Sequence, residues 1–201
     1  MRIGLVPVSA KPYHIGHHSL VMIASEENDQ VILFVSTSDR KREGEFPVLG
    51  SAMQRIWTEE LEAIMPSNVS IEYGGSPVRK VYQAIEQACS AGDENDIYTV
   101  YSDPEDTAQN YPEVSREKYM EPMCSLGRVI FAAEEDPSRF TRGEGTPNVS
   151  GGKLRHYLEV GNLEKFSSYM PPGVNGENIY NILRSNLSED LVRDFIFAVL
   201  E

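Results

Sequence analysis

The sequence predicts an α/β fold, with a doubly wound, mostly parallel five-stranded sheet and a helical C-terminal part. Short apolar segments alternate along the chain with segments whose apolar residues recur at helical spacing. This alternation is typical of parallel strands joined by right-handed crossover helices. A length of 201 residues and a hydrophobic content of 40% suit a single domain over 1–201, with an α/β core at 1–150 and a helical part at 151–201.

Five segments are predicted to be strands, because each is short, apolar and bounded by polar or turn-forming residues. They are RIGLVPV (2–8), QVILFVST (30–37), VSIEYG (69–74), DIYTVYSD (96–103) and GRVIFAA (127–133). Helices are predicted at 16–28, 50–65, 78–91, 114–126, 151–160, 163–169, 177–186 and 188–200, with a loop at 137–149. Trp57 lies on the apolar face of the second helix, so we expect it in the core. In such sheets, ligands bind beyond the carboxyl ends of the strands.

The charge balance argues against nucleic acids and anionic membranes as partners. Eighteen basic and thirty-one acidic residues give a net charge of −13, and such a surface repels polyanions. No apolar segment approaches the roughly 20 residues that a membrane-spanning helix needs, and the N-terminus lacks the features of a signal peptide. Cys89 and Cys124 are expected to be buried free thiols, with a disulfide left open. We therefore predict a cytoplasmic location.

Three of the four histidines lie in the stretch SAKPYHIGHHSLV, residues 9–21, directly after the first predicted strand. In a helix that starts here, His14, His17 and His18 share one face of the first turn. The free amides and the dipole of that turn favour an anion, and Lys11 adds a cation. The pattern predicts a phosphate site. A metal site lacks a third ligand nearby, and histidines without any ligand role remain the other alternative.

A second segment has the composition of a phosphate-binding turn: VSGGKLRHYL, residues 149–158. Ser150 is expected to cap the helix that follows, and Gly151 permits a close approach of the backbone to an anion. Lys153 and Arg155 add two cations at the start of that helix. The alternative is an ordinary capped helix with surface charges.

Together, the two segments resemble the motifs of the nucleotidyltransferase superfamily with the His-x-Gly-His signature, whose fold is Rossmann-like. KPYHIGHHSL is similar to its first motif, including the Lys-Pro-x-His lead-in of adenylyltransferase branches, and VSGGKLRHYL is similar to its second. The resemblance covers about residues 1–170. One difference is Gly152, where relatives often carry Thr or Ser, so a hydroxyl contact to phosphate is expected to be missing.

The resemblance implies transfer of a nucleoside monophosphate, with AMP favoured, from a nucleoside triphosphate to a small phosphorylated acceptor, with release of pyrophosphate. Nicotinamide mononucleotide is the leading acceptor. Transfer to pantetheine phosphate, cytidylyl transfer to a small phosphorylated alcohol, and a nucleotide-binding module without turnover remain alternatives. Mg²⁺ is implied as a cofactor that bridges phosphates, with no metal ligands expected from the protein. The sequence is compatible with a homo-oligomer.

The resemblance also implies roles for individual residues. Catalysis is expected from Lys11, His14, His17 and Arg155, and nucleotide binding from Pro7, Ser9, Gly16, Asp103, Ser150, Gly151 and Lys153. Acceptor binding is expected from Arg40, Arg42, Arg55 and Arg142. Within this set, the two motif histidines act on the α-phosphate and its leaving oxygen. The second motif holds the β- and γ-phosphates, and the basic run at 40–42 holds the acceptor phosphate.

Overall fold

A computed structural model of the protein describes residues 1–92 and 95–185, and the predicted helix at 188–200 lies outside these residues. The chain forms two compact units. The sheet unit comprises 1–9, 16–36 and 66–149, and the helical unit comprises 10–15, 37–65 and, as far as described, 150–185. Two segments that were expected in the α/β core, 10–15 and 37–65, therefore group with the C-terminal helices. The assignment of a single domain stays a prediction.

The sheet has five parallel strands, which confirms the predicted doubly wound α/β class. The strands are β1 (Arg2–Val8), β2 (Gln30–Val35), β3 (Val69–Tyr73), β4 (Ile97–Val100) and β5 (Val129–Phe131). Their order is β3-β2-β1-β4-β5, so the direction of winding reverses between β1 and β4. In open α/β sheets this switch point is where ligands bind, beyond the carboxyl ends of the two central strands.

The helices follow the strands in the expected alternation. They are α1 (Ile15–Glu27), α2 (Gly50–Ile56), α3 (Pro77–Ser90), α4 (Pro104–Asn110), α5 (Glu113–Tyr119), α6 (Ala132–Glu135), α7 (Pro137–Phe140), α8 (Gly151–Glu159) and α9 (Leu163–Ser167), followed by helical residues at 176–185. Within residues 1–92 and 95–185, no helix is long and apolar enough to cross a bilayer.

One core cluster of the sheet unit lies between the sheet and α3. Ile3 and Leu5 of β1 point to the same side of the strand and belong to the same buried cluster as Val81 and Ile85, which are four positions apart on α3. The apolar faces of β1 and α3 thus pack against each other, as the alternation of strand and helix patterns along the sequence predicts. The two cysteines are free and half-buried, so they are more accessible than expected.

In the helical unit, Trp57 is the central packing residue. It is fully buried, as predicted, and its ring makes an edge-to-face contact with Tyr13 at a centroid distance of 4.9 Å. The predicted helix at 50–65 is α2, continued by a π-helical turn over Trp57–Leu61 and a 3₁₀ turn over Glu62–Ile64. The contact with Trp57 fixes the segment that carries the first histidine motif.

Several helices differ from the prediction, and one of them, α6, takes the last two residues of the strand that was predicted at 127–133. The predicted helix at 114–126 ends at Tyr119, and the predicted loop at 137–149 begins with α7. The short helix α4 was not predicted. Both α4 and α7 start with Asp followed by Pro, where Asp103 or Asp136 caps the first turn and proline fills the first helical position.

Candidate functional site

The first histidine motif lies at the junction of β1 and α1, as the sequence predicts. The chain leaves β1 through Ala10, which adopts the left-handed conformation with φ of 50°, uncommon for a residue other than glycine. The next residues turn inward, and Lys11 and His14 are each only 5% exposed. The amide of Ile15, where α1 begins, donates to the carbonyl of Tyr169 at 2.9 Å. This hydrogen bond ties residues 10–15 to the C-terminal part of the helical unit.

The second motif opens α8 in the predicted manner. Ser150 is the N-cap, and its hydroxyl accepts a hydrogen bond from the amide of Lys153 at 3.2 Å. One turn further, Arg155 points into the protein and is 6% exposed. Its Nη1 donates to the carbonyl oxygen of Lys11 at 2.6 Å. The structure thus joins the two motifs, whose bonded residues are 144 positions apart in the sequence, through a buried hydrogen bond.

The glycines of the second motif have different roles. A Cβ on Gly151 would lie 2.9 Å from both Nη1 of Arg155 and the carbonyl oxygen of Lys11, so a side chain here would push the two apart. A Cβ on Gly152 would meet no atom closer than 3.6 Å. Gly151 is therefore required by the contact between the motifs, whereas the position of Gly152 has room for a side chain with a hydroxyl group.

Arg155 shares a carboxylate with one arginine of the basic run. Glu45 Oε2 lies 2.9 Å from Nε of Arg40 and 3.0 Å from Nη2 of Arg155. Its Oε1 accepts a second bond from Nη2 of Arg40 at 3.1 Å. Arg40 was assigned to the acceptor and Arg155 to the triphosphate, yet both meet at one side chain. Glu45 was missed at the sequence level, although an acidic residue shortly after RKR is a recognisable signal for an intraloop ion pair.

Burial and charge shift the protonation of this cluster. Burial lowers the pKa of Lys11 to about 8, against the opposing effect of the nearby Asp39 carboxylate. Burial, followed by the positive charge of Arg40, also lowers the pKa of Arg155, and Glu45 counteracts this. The hydrogen bond from Arg40 is the main cause of a lowered pKa at Glu45. Lys11 is therefore the cation of this cluster that titrates near physiological pH.

The sheet unit holds a separate group of predicted residues around Arg142. Asp103 caps α4, accepting from the amide of Asp106 at 2.8 Å, and its carboxylate also forms an ion pair with Arg142. Asp106 lies 3.7 Å from the same guanidinium. Burial, and then the positive charge of Arg142, lowers the pKa of His17 to about 3. His17 is half-buried as a residue, but its Nδ1 atom is buried, and its imidazole is neutral near physiological pH.

A small cavity of about 150 Å³ lies at the switch point of the sheet. It is lined by Pro7, Ser9, Pro77, Val78, Ser102, Asp106, Asn110 and Tyr111. Pro7 and Ser9 are predicted nucleotide ligands, whereas the residues from α4 and its surroundings were missed. Partial desolvation raises the pKa of Asp106, although its side chain is 52% exposed. The hydroxyl of Tyr111 has no hydrogen-bond partner among the described residues. The cavity is a polar recess suited to a small uncharged or hydrogen-donating group.

Other predicted residues lie outside these groups or are already engaged. Arg55 is exposed on α2 and pairs with Glu59 at 2.7 Å. Lys153 donates to the hydroxyl of Tyr169 at 2.9 Å, and this bond raises the pKa of Lys153. Arg42 is exposed. Gly16 is the second residue of α1 and lies in its first turn.

A larger groove, of about 1010 Å³, runs beside β5. Its walls include Glu27 and Arg139, which form an ion pair, but none of the motif residues. In the part of the chain that the structure describes, no three His, Cys, Asp or Glu side chains converge as metal ligands. The groove is therefore separate from the two motifs, although charged side chains also line it.

The sequence matches no protein-family model, and no curated protein matches it. The functional interpretation accordingly depends on the two motifs and on the contacts that join them.

Proposed function

We propose that the chain is a nucleotidyltransferase that moves a nucleoside monophosphate, with AMP favoured, from a nucleoside triphosphate to a small phosphorylated acceptor. The observation that carries the proposal is the 2.6 Å hydrogen bond from Arg155 to the carbonyl of Lys11. It connects two segments that each have the composition of a phosphate-binding turn. A buried bond of this kind is expected where two halves of one anion site are held together.

The chemistry suits the side chains that are present. A phosphate acceptor is already ionised near neutral pH, so the reaction needs no general base. It needs two anions held in line and a stabilised charge on the α-phosphate and the leaving pyrophosphate. In our proposal Lys11 and Arg155 supply fixed positive charge. His17, being neutral, donates a hydrogen bond to a phosphate oxygen rather than acting as a cation.

Mg²⁺ fits the proposal as an ion carried by the nucleotide. Such an ion is held mainly by phosphate oxygens and water, and it neutralises phosphate charge when bound. Asp103 and Asp106 are carboxylates of the site in the sheet unit, but both face Arg142. These carboxylates are therefore compatible with a phosphate-held ion, and within residues 1–92 and 95–185 no side chains form a cage for it.

The leading acceptor in the proposal is nicotinamide mononucleotide, with pantetheine phosphate and small phosphorylated alcohols as alternatives. The polar cavity beyond β1 and β4 supports an acceptor with a small hydrogen-bonding group. We also propose that the protein works in the cytoplasm on these small molecules, without nucleic acid or membrane partners. A homo-oligomer is compatible with the proposal.

A second candidate is a nucleotide-binding module without turnover. The observation that favours it is Gly152, which leaves the second motif without its usual hydroxyl although there is room for one. Such a module would bind a triphosphate through the same turns but would not release pyrophosphate.

The test is pyrophosphate release with each of the four common nucleoside triphosphates, paired with a panel of phosphorylated acceptors. We expect release that depends on both substrates, with a nucleotidylated acceptor detected by mass spectrometry. Binding of a triphosphate without release would favour the non-catalytic module. Neither binding nor release with any pair would contradict both candidates.

A further inference from the structure

The carboxylate of Glu45 lies between the guanidinium groups of Arg40 and Arg155. It accepts two hydrogen bonds from Arg40, at 2.9 and 3.1 Å, and its Oε2 lies 3.0 Å from Nη2 of Arg155. One carboxylate thus bridges two arginines from distant parts of the sequence. Paired guanidinium groups in this arrangement are a typical setting for a phosphate, whose oxygens match the fork of each arginine.

The two arginines have more binding capacity than one carboxylate uses. Nε of Arg155 has no hydrogen-bond partner among the described residues, although the side chain is buried. The positive charge of Arg42 also acts on Arg155, adding to that of Arg40. Glu45 contributes a single negative charge to three arginines. A phosphate group carries more charge and more acceptor oxygens, so it is the better complement to this cluster.

The carboxylate belongs to an exposed loop, whereas Arg155 lies in a buried position. Arg40 and Val48 close the base of a short loop through paired backbone hydrogen bonds of 2.8 and 3.0 Å. The loop tip, with Glu43 and Gly44, is exposed. The side chain of Glu45 is 32% exposed, compared with 8% for that of Arg155. Displacement of Glu45 therefore requires movement of a loop tip and leaves the buried arginine in place.

We propose that Glu45 is a displaceable counter-anion, which holds the position between Arg40 and Arg155 until a phosphate group of the nucleoside triphosphate takes it. The inference rests on the proposed function and deepens it, because it makes Arg40 a ligand of the triphosphate rather than of the acceptor. In the free protein, Glu45 balances part of the positive charge of Arg40 and Arg155. Without Glu45, a buried arginine would face its neighbours with no counter-charge.

The test is a comparison of Glu45→Gln with Glu43→Gln, which makes the same charge change at an exposed position of the same loop. The probe is inorganic tripolyphosphate, and the readout is its dissociation constant from calorimetry. Removing a competing charge-assisted interaction should tighten binding by about tenfold or more in Glu45→Gln. In Glu43→Gln the change should stay within about twofold, as for a solvated charge. Adding Arg40→Gln to Glu45→Gln should cancel the gain.

A gain in Glu45→Gln no larger than that in Glu43→Gln overturns the inference, as does a gain that survives removal of Arg40. If Glu45→Gln does not fold, Glu45→Asp is judged against Glu43→Asp by the same criterion, since the shorter side chain loses its reach to both arginines. Failure of the proposed function is distinguishable, because the measurement requires no turnover. If the variants show this pattern with tripolyphosphate but the protein releases no pyrophosphate, the inference about Glu45 holds and the proposed enzymatic function is wrong. Absence of tripolyphosphate binding in every variant overturns the inference.

Discussion

Two predicted phosphate-binding arginines, one in each unit, differ in how they are held. Arg155 of the helical unit is buried and fixed by the carbonyl of Lys11 and the carboxylate of Glu45. Arg142 of the sheet unit has a side chain that is 48% exposed, and it pairs with the carboxylates of Asp103 and Asp106. Arg155 is therefore preorganised, and a preorganised donor needs no reorganisation when charge develops on the substrate. Arg142 is adaptable by comparison.

The largest expected effect comes from Arg155→Lys. An ammonium group does not reproduce the fork that reaches Lys11 and Glu45 together, so we expect kcat/KM to fall by about 10²-fold or more. Loss of buried hydrogen bonds should also lower the free energy of unfolding by about 1–3 kcal/mol. Turnover assays and urea denaturation check both effects.

The matched control for that substitution is Arg142→Lys. Because Arg142 is half-exposed and flanked by carboxylates, a lysine keeps the charge and much of the pairing. We expect a smaller loss of kcat/KM and little change in the denaturation midpoint. Equal losses in the two variants would contradict the distinction between a fixed and an adaptable arginine.

The next effect concerns His17. We expect His17→Ala to lower kcat by about 10² or more, because the imidazole acts mainly on charge that develops in the transition state. The exposed His156 provides the control, and His156→Ala should retain parental activity. Since His17 stays neutral down to about pH 3, its titration should produce no acid limb between about pH 5 and 8. An acid limb in this range that disappears in His17→Ala would show that the protonated form is used.

Lys11 gives a prediction on the alkaline side. Its pKa in the folded protein is lowered from 10.5 to about 8, so kcat/KM should fall as the pH rises through about 8 and Lys11 loses its charge. The effect on stability has the opposite sign. Between pH values of about 8 and 10.5, Lys11 is protonated in the unfolded chain but not in the folded protein, so the free energy of unfolding should increase with pH. This contribution to stability is lost as the pH falls through about 8. Urea midpoints at several pH values, compared with Lys11→Met, check the direction.

The smallest expected effect is that of Gly152→Ser. The position has room for a side chain, and serine is a better helix former than glycine by about 0.5 kcal/mol. We expect a slightly higher melting temperature and tighter triphosphate binding by a few-fold, through a new hydroxyl contact. Gly151→Ser is the contrasting variant and should weaken both properties, because it separates Arg155 from Lys11. Tolerance of serine at both positions would argue against a close contact between the motifs.

Local patterns predicted the sheet and the motif helices. The five strands and the capping role of Ser150 follow from apolar runs, spacing and helix-start chemistry that neighbouring residues determine. The short helices α4 and α7 were missed because seven and four residues give too little periodicity. Their Asp-Pro starts were the available signal.

The contacts that define the site could not be predicted, because they depend on tertiary packing. Nothing local indicates that Arg155 meets the carbonyl of Lys11, or that Glu45 lies between two arginines. The left-handed conformation of Ala10 also has no local signal, since alanine does not favour it. Sequence patterns thus predicted which residues carry the proposed chemistry, and the folded chain shows which of them lie in contact.

The central claim is that the two motifs form one phosphate site, and a double-mutant cycle tests it most directly. The cycle compares triphosphate affinity in the parent, Lys11→Met, Arg155→Lys and the double variant. If both residues serve one site, the effects should be non-additive, with an interaction energy of about 0.5–3 kcal/mol. Additivity within about 0.3–0.5 kcal/mol would show that the motifs act independently. Absence of triphosphate binding by the parent would contradict the account altogether.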